Sequence, residues 1–314
     1  MKILFAAHKN AWGGFLGMIQ EELPQHEFEA SGRFGIDSLK GFDVLIPTMT
    51  LIGREQLAEA DRLRLIQQCG AGLEGVDIQA ATSMNIWVAN VPTDISGNAD
   101  SVAELGIYLM VGLSRNFRQM ALSLANRQMG TPQGRALSGK TVGLIGLGGI
   151  GRALARRLKS FDVRLIGIKR HDPHKAKEEL GLEWAGTPAD MEVVLNRSHY
   201  VVLCLPLTPE SRHVIGWRAF LAMKPDAFII NLSRGGLIDR DALEQALAAG
   251  KIAGAGLDVF WDEPVDPDDP IFEYNVLATP HIAGSTDVSL KGIVNAVAEN
   301  IRRLEQGKEP LYRR

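Results

Sequence analysis

The sequence has few cysteines, little net charge and no long hydrophobic run, and each of these absences excludes a class of protein. Two cysteines in 314 residues, Cys69 and Cys204, cannot form a disulfide framework and lack metal-binding spacing. We therefore expect no metal site and a reduced, cytoplasmic setting. The net charge of -3 disfavours nucleic acid as a partner, since phosphate binding requires clustered lysine and arginine. No apolar run is long enough to cross a membrane.

The remaining composition is that of a soluble globular protein, with 46% hydrophobic and 23% charged residues. Its length predicts two domains. Short apolar runs alternate with helix-like stretches, which predicts an α/β fold with parallel sheets covered by helices on both faces. Strands are expected at residues 2–7, 42–47, 65–69, 86–89, 141–145, 163–168, 200–205, 227–232, 254–259 and 276–279. Helices are expected at residues 54–60, 99–113, 241–249 and 287–306.

A glycine-rich loop between a predicted strand and an amphipathic helix predicts a dinucleotide site. The strand at 141–145 leads into the residues GLGGIG. In this context the first glycine allows a tight turn, the second admits the pyrophosphate, and the third lets the helix pack on the strand. The helix N-terminus also offers backbone N–H groups to an anion. The residues predicted to bind a nicotinamide dinucleotide here are Gly146, Gly148, Gly149, Ile150 and Gly151.

The end of the next predicted strand distinguishes the two nicotinamide cofactors. An NAD site usually has an acidic residue there, which binds the ribose 2′-hydroxyl. Here Lys169 and Arg170 follow the strand, and their charges attract a 2′-phosphate. We therefore expect a preference for NADP(H). The alternative is that both side chains are solvated and that Asp172 reaches the ribose, in which case NAD(H) is used.

Several further motifs combine glycine, arginine, glutamate and histidine in a fixed order. They are QCGAGLEGVD at 68–77, SGNADSVAE at 96–104, NLSRGG at 231–236, LDVFWDEP at 257–264 and TPHIAG at 279–284. Together they resemble the D-isomer-specific 2-hydroxyacid dehydrogenase family, in particular its glyoxylate and hydroxypyruvate reductases, over nearly the whole chain. The resemblance implies two Rossmann-like or flavodoxin-like domains with the active site in the cleft between them. Residues 1–98 with 286–314 would bind substrate, and residues 99–285 the cofactor.

The resemblance implies a catalytic triad of Arg234, Glu263 and His281, and keto-acid reduction requires these residue types. A hydride goes to the carbonyl carbon and a proton to its oxygen, and histidine is a suitable proton donor near neutral pH. A neighbouring carboxylate stabilises the imidazolium. The arginine can bind the substrate carboxylate and polarise the carbonyl. The backbone N–H groups of Ala71 and Gly72 are expected to bind the other side of that carboxylate.

The same resemblance implies further cofactor contacts. They are Cys204, Leu205, Pro206, Thr208, Leu232, Ser233, Asp258 and Gly284. The segment 204–208 would line the adenosine end, and Asp258 would contact the nicotinamide carboxamide. Cys204 is expected to pack rather than to act as a nucleophile. Asn98 is expected either to contact a ligand or to cap the helix that follows it.

The loop at 47–52 bears on the choice of substrate. Phosphoglycerate dehydrogenases of the family present a basic residue there, whereas this loop is apolar and hydroxylated, with Arg54 the only nearby charge. We therefore expect a small 2-keto acid such as glyoxylate, hydroxypyruvate or pyruvate. If Arg54 turns inward, D-3-phosphoglycerate dehydrogenase is the alternative. Formate oxidation is disfavoured because that branch has glutamine in place of Glu263.

Two further alternatives concern the class of protein and its assembly. A non-catalytic, NAD(P)-sensing protein related to corepressors uses the same scaffold, since fold does not fix function. The resemblance also implies a homodimer formed through residues 115–134. The segment 8–14, which contains Trp12, follows the first predicted strand, and no role is assigned to it.

Overall fold

The computed structural model describes the whole chain, residues 1–314, which divides into two compact units. The first unit combines residues 1–101 with 284–314, and the second comprises residues 102–283. Each unit contains one sheet, and all paired strands within both sheets are parallel. The predicted α/β class with parallel sheets is confirmed.

The elements are numbered along the chain. The strands are β1 (Lys2–Phe5), β2 (Glu27–Ala30), β3 (Val44–Ile46), β4 (Leu65–Gln67), β5 (Trp87–Ala89), β6 (Thr141–Ile145), β7 (Arg164–Ile168), β8 (Trp184–Gly186), β9 (Tyr200–Leu203), β10 (Phe228–Asn231), β11 (Gly254–Leu257) and β12 (Val276–Ala278). The helices are α1 (Ala11–Glu22), α2 (Arg54–Ala58), α3 (Ile78–Ser83), α4 (Asn98–Ser114), α5 (Phe117–Ala125), α6 (Gly149–Leu158), α7 (Pro173–Leu180), α8 (Met191–Arg197), α9 (Trp217–Ala222), α10 (Arg240–Ala248) and α11 (Asp287–Glu305). None of these helices has the length and apolar character needed to span a membrane.

The first unit is a five-stranded sheet in the order β2-β1-β3-β4-β5. Successive side chains of a strand face opposite sides of the sheet. Accordingly, Ile3 and Phe5 of β1 pack in the cluster that includes α11, whereas Leu4 packs in the cluster formed with α2 and α3. Helix α11 contributes Ile293 and Val297, which are four residues apart and therefore share one helix face. One face of the first sheet is thus covered by the last helix of the chain.

The second unit is a seven-stranded sheet in the order β12-β11-β10-β9-β6-β7-β8. Its first strand in the chain, β6, lies inside the sheet with β7 on one side and β9 on the other, so the direction of strand addition reverses there. Open parallel sheets bind ligands outside the carboxyl ends of their strands at such a switch point. All five residues of β6 are buried, and the strand leads directly into the glycine loop. The topology therefore places this loop where a dinucleotide is expected.

Two strands, β2 and β8, are missing from the sequence-based prediction. Both lie at the edge of a sheet. The residues of β2 alternate between exposed and half-buried, and β8 has only three residues. Edge strands are often short and half-solvated, so a search for apolar runs does not detect them. The predicted strand at 200–205 is longer than β9 in the structure. Cys204 remains buried although the hydrogen-bonded ladder ends at Leu203, so the apolar run overestimates the length of the strand.

Candidate active site

The glycine loop after β6 is closely packed on one side and open on the other. Gly146 has a φ of 104°, and a Cβ there would lie 2.5 Å from the carbonyl oxygen of Cys204. A Cβ on Gly151 would lie 2.1 Å from the carbonyl oxygen of Gly146, so both positions require glycine. A Cβ on Gly148 would meet no atom within 4 Å. No side chain caps α6, so the N–H groups of its first turn, at Gly149 and Ile150, fit an anion such as a pyrophosphate.

Lys169 and Arg170 lie where β7 ends, as predicted. The backbone N–H of Lys169 donates to the carbonyl of Gly186, which continues the sheet by one residue, and Arg170 is exposed. The hydrogen bond from Thr208, together with the charge of Arg170, lowers the pKa of the exposed Glu210 carboxyl. Arg170 is therefore close enough to the loop after β9 for its charge to act there. The segment expected at the adenosine end and the basic strand end share one region of the unit.

The loop after β9 is ordered by hydrogen bonds of its own. Ser211 Oγ donates to the carbonyl of Pro206 at 2.8 Å and accepts from the N–H of Thr208 at 2.7 Å. The N–H of Cys204 donates to the carbonyl of Ile145 at 2.8 Å. Burial raises the pKa of the Cys204 thiol to about 12, so the thiol stays protonated at neutral pH. Cys204 therefore behaves as a packing residue.

Arg234 lies in a turn after β10 that a single asparagine organises. Asn231 Oδ1 accepts from the N–H of Ser233 at 3.1 Å, and its Nδ2 donates to the carbonyl of Arg234 at 2.8 Å. The Ser233 hydroxyl donates to the carbonyl of Leu203, and Leu232 is buried beside it. A Cβ on Gly235 would lie 2.1 Å from the carbonyl carbon of Phe260, so glycine alone allows this turn to approach the segment that carries Glu263. Asn231 is part of the motif NLSRGG, but only the structure shows that its side chain organises the turn.

Glu263 and His281 form a direct pair. Glu263 Oε2 lies 2.7 Å from His281 Nδ1, and Oε1 accepts from the N–H of Phe260 at 2.9 Å. The Glu263 side chain is 14% exposed and that of His281 30%. Burial acts to raise the pKa of Glu263, but the hydrogen bond and charge of His281, the Phe260 N–H and the charge of Arg234 outweigh it and lower the pKa. Glu263 and His281 are therefore paired directly, and the charge of Arg234 acts on the same carboxyl within the second unit.

The ionised state of Glu263 fixes the chemistry of the imidazole. A carboxylate can only accept, so Nδ1 of His281 carries a hydrogen and donates it. Nε2 is then the nitrogen that can exchange a proton with a substrate. His281 has a φ of 54°, a left-handed conformation that is uncommon for a residue other than glycine or asparagine. The hydrogen bond to Glu263 thus fixes the orientation of the imidazole.

Asp258 holds the turn that contains His281. Its Oδ1 accepts from Thr279 Oγ1 at 2.6 Å and from the N–H of Ile282 at 2.9 Å, and its Oδ2 accepts from the N–H of Ala283 at 3.0 Å. Burial raises the pKa of this carboxyl, although the same hydrogen bonds and the charge of His281 act to lower it. The turn is thus fixed on both sides of the histidine. Sequence reasoning missed this role; the carboxamide contact of Asp258 stays a prediction.

The predicted residues of the first unit lie in the loops at the carboxyl ends of its strands. Ala71 is exposed in the loop after β4, and its carbonyl accepts from Asn90 Nδ2 at 2.7 Å. The carbonyl of Gly70 accepts from the N–H of Val91, so the loop that also contains Gly72 is held from the side of β5.

Gly284 and Asn98 also belong to the first unit. A Cβ on Gly284 would lie 2.1 Å from Asn98 Nδ2. Asn98 is the first residue of α4, and its Nδ2 donates to Ser289 Oγ at 3.2 Å. Gly284 is therefore closely packed against a side chain, which gives it a structural reason to be glycine. Its predicted cofactor contact stays a prediction.

Comparison with known proteins identifies the family. Residues 107–283 match the NAD binding domain of the D-isomer specific 2-hydroxyacid dehydrogenases. The chain belongs to the D-isomer specific 2-hydroxyacid dehydrogenase family. This confirms the predicted family, the class of NAD(P)-dependent oxidoreductase and the use of a nicotinamide cofactor, whose phosphates the glycine loop fits.

Individual members of the family show the extent of the similarity. A glyoxylate reductase of Thermococcus litoralis is 34% identical over 88% of this chain and 84% of its own length. A D-3-phosphoglycerate dehydrogenase of Methanocaldococcus jannaschii is 37% identical over 87% of this chain, but the match spans only 52% of that protein, about half its length. The apo-structure of D-lactate dehydrogenase from Escherichia coli is 29% identical, with a TM-score of 0.82 and coverage of 100% of this chain and 99% of that one.

The lowered pKa of Glu263 predicts a pH-dependent stability. A depressed carboxyl pKa adds stability that is present above the ordinary value of 4.5 and is lost as the pH falls through the folded-state value. We expect Glu263→Gln to lower the free energy of unfolding at pH 7 by about 1–2 kcal/mol, and this difference to narrow as the pH falls below 4.5. Urea denaturation of the wild type and the variant, at pH 7 and below pH 4.5, measures this difference in the free energy of unfolding.

Asp268→Asn is the matched control, because Asp268 is an exposed acid in the same loop. It should change stability by no more than about 0.5 kcal/mol at either pH. A Glu263→Gln variant as stable as the wild type at pH 7 would contradict the prediction.

Proposed function

We propose that this chain interconverts a small 2-keto acid and the corresponding D-2-hydroxy acid, using a nicotinamide cofactor. The observation that carries the proposal is the 2.7 Å pair of His281 and Glu263, on whose carboxyl the charge of Arg234 also acts. This pair lies in the same unit as the glycine loop. The names of the relatives, which include glyoxylate reductase and D-lactate dehydrogenase, support the same substrate class.

The residues divide the reaction between them. In the reductive direction, Nε2 of His281 donates a proton to the carbonyl oxygen, and Glu263 stabilises the imidazolium from which that proton leaves. Arg234 binds the substrate carboxylate and polarises the carbonyl. The N–H groups of Ala71 and Gly72 bind the carboxylate from its other side. When bound, the nicotinamide supplies the hydride or, in the oxidative direction, accepts it. In this proposal the first unit binds the substrate and the second binds the cofactor.

Loss of the imidazole should strongly reduce turnover. We expect His281→Ala to lower kcat/KM for keto-acid reduction by about 10³-fold, because general acid catalysis by a positioned histidine typically contributes 10²–10⁴-fold. The assay is loss of NAD(P)H absorbance with glyoxylate, hydroxypyruvate, pyruvate and 3-phosphohydroxypyruvate. His174→Ala is the control, since His174 is exposed on α7.

The outcomes of this assay separate the alternative functions. A marked preference for the phosphorylated substrate would favour a phosphoglycerate dehydrogenase, with Arg54 as the residue to test next. Arg54 is exposed on the first turn of α2. No turnover of any 2-keto acid by the wild type would favour the cofactor-sensing alternative and contradict the proposal.

We propose that NADP(H) is the preferred cofactor, because Lys169 and Arg170 replace the acidic residue expected at the end of β7. Asp172 is exposed and its side chain caps no backbone group of α7.

The double variant Lys169→Ala/Arg170→Ala should raise KM for NADPH by about 10-fold or more and change KM for NADH by less than about threefold, since charge-assisted hydrogen bonds contribute about 1.5–3 kcal/mol each. Lys175→Ala, on the exposed face of α7, is the control. A wild-type preference for NADH would refute this assignment.

We further propose that the protein acts in the cytoplasm as a homodimer that binds no nucleic acid. The support for a dimer lies in the region 115–134, where apolar side chains are exposed. Their exposed fractions are 47% for Phe117, 55% for Leu122, 81% for Leu124 and 95% for Met129. Large apolar side chains exposed within one short segment are consistent with a protein interface.

Sedimentation at micromolar concentration tests the dimer. The wild type should sediment at twice the chain mass, and Leu122→Asp/Leu124→Asp should sediment as a monomer, because burying two carboxylates at an apolar interface is unfavourable. Leu221→Asp is the control, since Leu221 is 52% exposed on α9, outside the region. A monomeric wild type would exclude the proposed assembly.

A further inference from the structure

The first turn of α1, directly after the loop that follows β1, has an unusual backbone conformation that the proposed function does not explain. Trp12, Gly13 and Gly14 all adopt left-handed angles, with φ of 55°, 62° and 84°. These angles are ordinary for glycine, but a bulky residue in this region is a genuine outlier. Such outliers persist only where the surrounding structure imposes them, and they cluster at ligand sites. The conformation of Trp12 therefore calls for a reason.

Packing within the first unit holds this turn in place. A Cβ on Gly13 would lie 2.8 Å from Cδ1 of Leu290 in α11, so the approach of the turn to that helix favours glycine. The Trp12 ring lies edge-on to Phe34, with centroids 6.2 Å apart and planes at 61°. His8 contacts the same Phe34 ring edge-on at 6.1 Å. Trp12 as a whole is half-buried, with its indole Nε1 buried, so part of the residue stays accessible.

Hydrogen bonds connect the end of β1 to the loop that contains Ala71. Strand β1 pairs with β3, and β3 pairs with β4, so the loops after these three strands share one edge of the sheet. Thr48 Oγ1 and Thr50 Oγ1 donate to the carbonyl of Ala6 at 2.7 and 3.3 Å. Gln68 Nε2 donates to the carbonyl of Thr48 at 2.8 Å. Hydrogen bonds therefore connect these three loops at the carboxyl end of the sheet, which is where parallel sheets bind their ligands.

We propose that Trp12 is a specificity-determining residue, whose indole limits the space for the group attached to the keto carbon. The inference rests on the proposed function, because it requires Ala71 and Gly72 to bind the substrate carboxylate. When the loop after β4 holds the substrate carboxylate, the substituent on the keto carbon extends along the carboxyl end of the sheet. Trp12 lies at the same end. An indole held by its backbone and by Phe34 cannot withdraw to admit a large group. The preferred substrates are therefore 2-keto acids with a hydrogen, methyl or hydroxymethyl substituent.

The test compares kcat/KM for pyruvate and phenylpyruvate in the wild type, Trp12→Ala and Trp12→Phe. The wild type should prefer pyruvate. Trp12→Ala should raise the ratio of phenylpyruvate to pyruvate by about 10-fold or more, mainly through a lower KM for phenylpyruvate, since pocket size discriminates by about 10–200-fold. Trp12→Phe should give a smaller change in the same direction.

Trp87→Phe is the matched control for Trp12→Phe. Trp87 is also half-buried and belongs to the same hydrophobic cluster, but it begins β5 and so lies at the opposite, amino edge of the sheet. In Trp87→Phe, the ratio of kcat/KM for phenylpyruvate to kcat/KM for pyruvate should equal the wild-type ratio.

The outcomes separate the two proposals. Turnover with an unchanged ratio in both Trp12 variants, or an equal change in Trp87→Phe, overturns the role of Trp12 and leaves the proposed function standing. No turnover of any 2-keto acid by the wild type overturns both. If circular dichroism shows that Trp12→Ala is unfolded, the conservative Trp12→Phe variant decides.

Discussion

The position of His281, the histidine proposed to transfer the proton, depends on one buried carboxylate. Asp258 accepts hydrogen bonds from Thr279, Ile282 and Ala283, and these bonds bracket His281 on both sides. A buried carboxylate is costly unless its oxygens are hydrogen-bonded, so the three donors and the acceptor stabilise each other. The turn cannot relax without exposing that charge to an apolar interior. The left-handed backbone of His281 and its hydrogen bond to Glu263 both lie within this braced turn.

Parallel sheets explain why functional groups of both units occur in loops. In the second unit, the loops after β6, β9, β10 and β11 contain the glycine loop, Cys204, Arg234 and Glu263. In the first unit, the loops after β3 and β4 contain Thr48 and Ala71, and Trp12 lies at the start of α1, just after the loop that follows β1. Strands that all run in one direction deliver their following residues to one edge. The sheets supply rigidity, and the loops supply chemistry.

Those parts of the site that depend on local sequence could be predicted, and those that depend on distant contacts could not. Glycines at fixed spacing after a strand are sufficient to indicate a phosphate loop, and the order of motifs was sufficient to indicate the family. By contrast, the bracing role of Asp258 requires contacts with residues up to 25 positions away. The conformation of Trp12 depends on the approach of Gly13 to Leu290, from the opposite end of the chain. No local pattern encodes such contacts.

The first unit is built from both ends of the chain, and this has a consequence for biosynthesis. Chains emerge from the ribosome N-terminus first, and domains fold as units as they emerge. Residues 102–283 are complete before α11 is made, whereas the earlier residues 1–101 still lack α11, which together with α1 covers one face of their sheet. Buried Asn300 of α11 also donates to Gln67 of β4 at 2.7 Å. Residues 1–101 are therefore synthesised before the second unit but complete their core after it, and their apolar face needs protection until α11 is made.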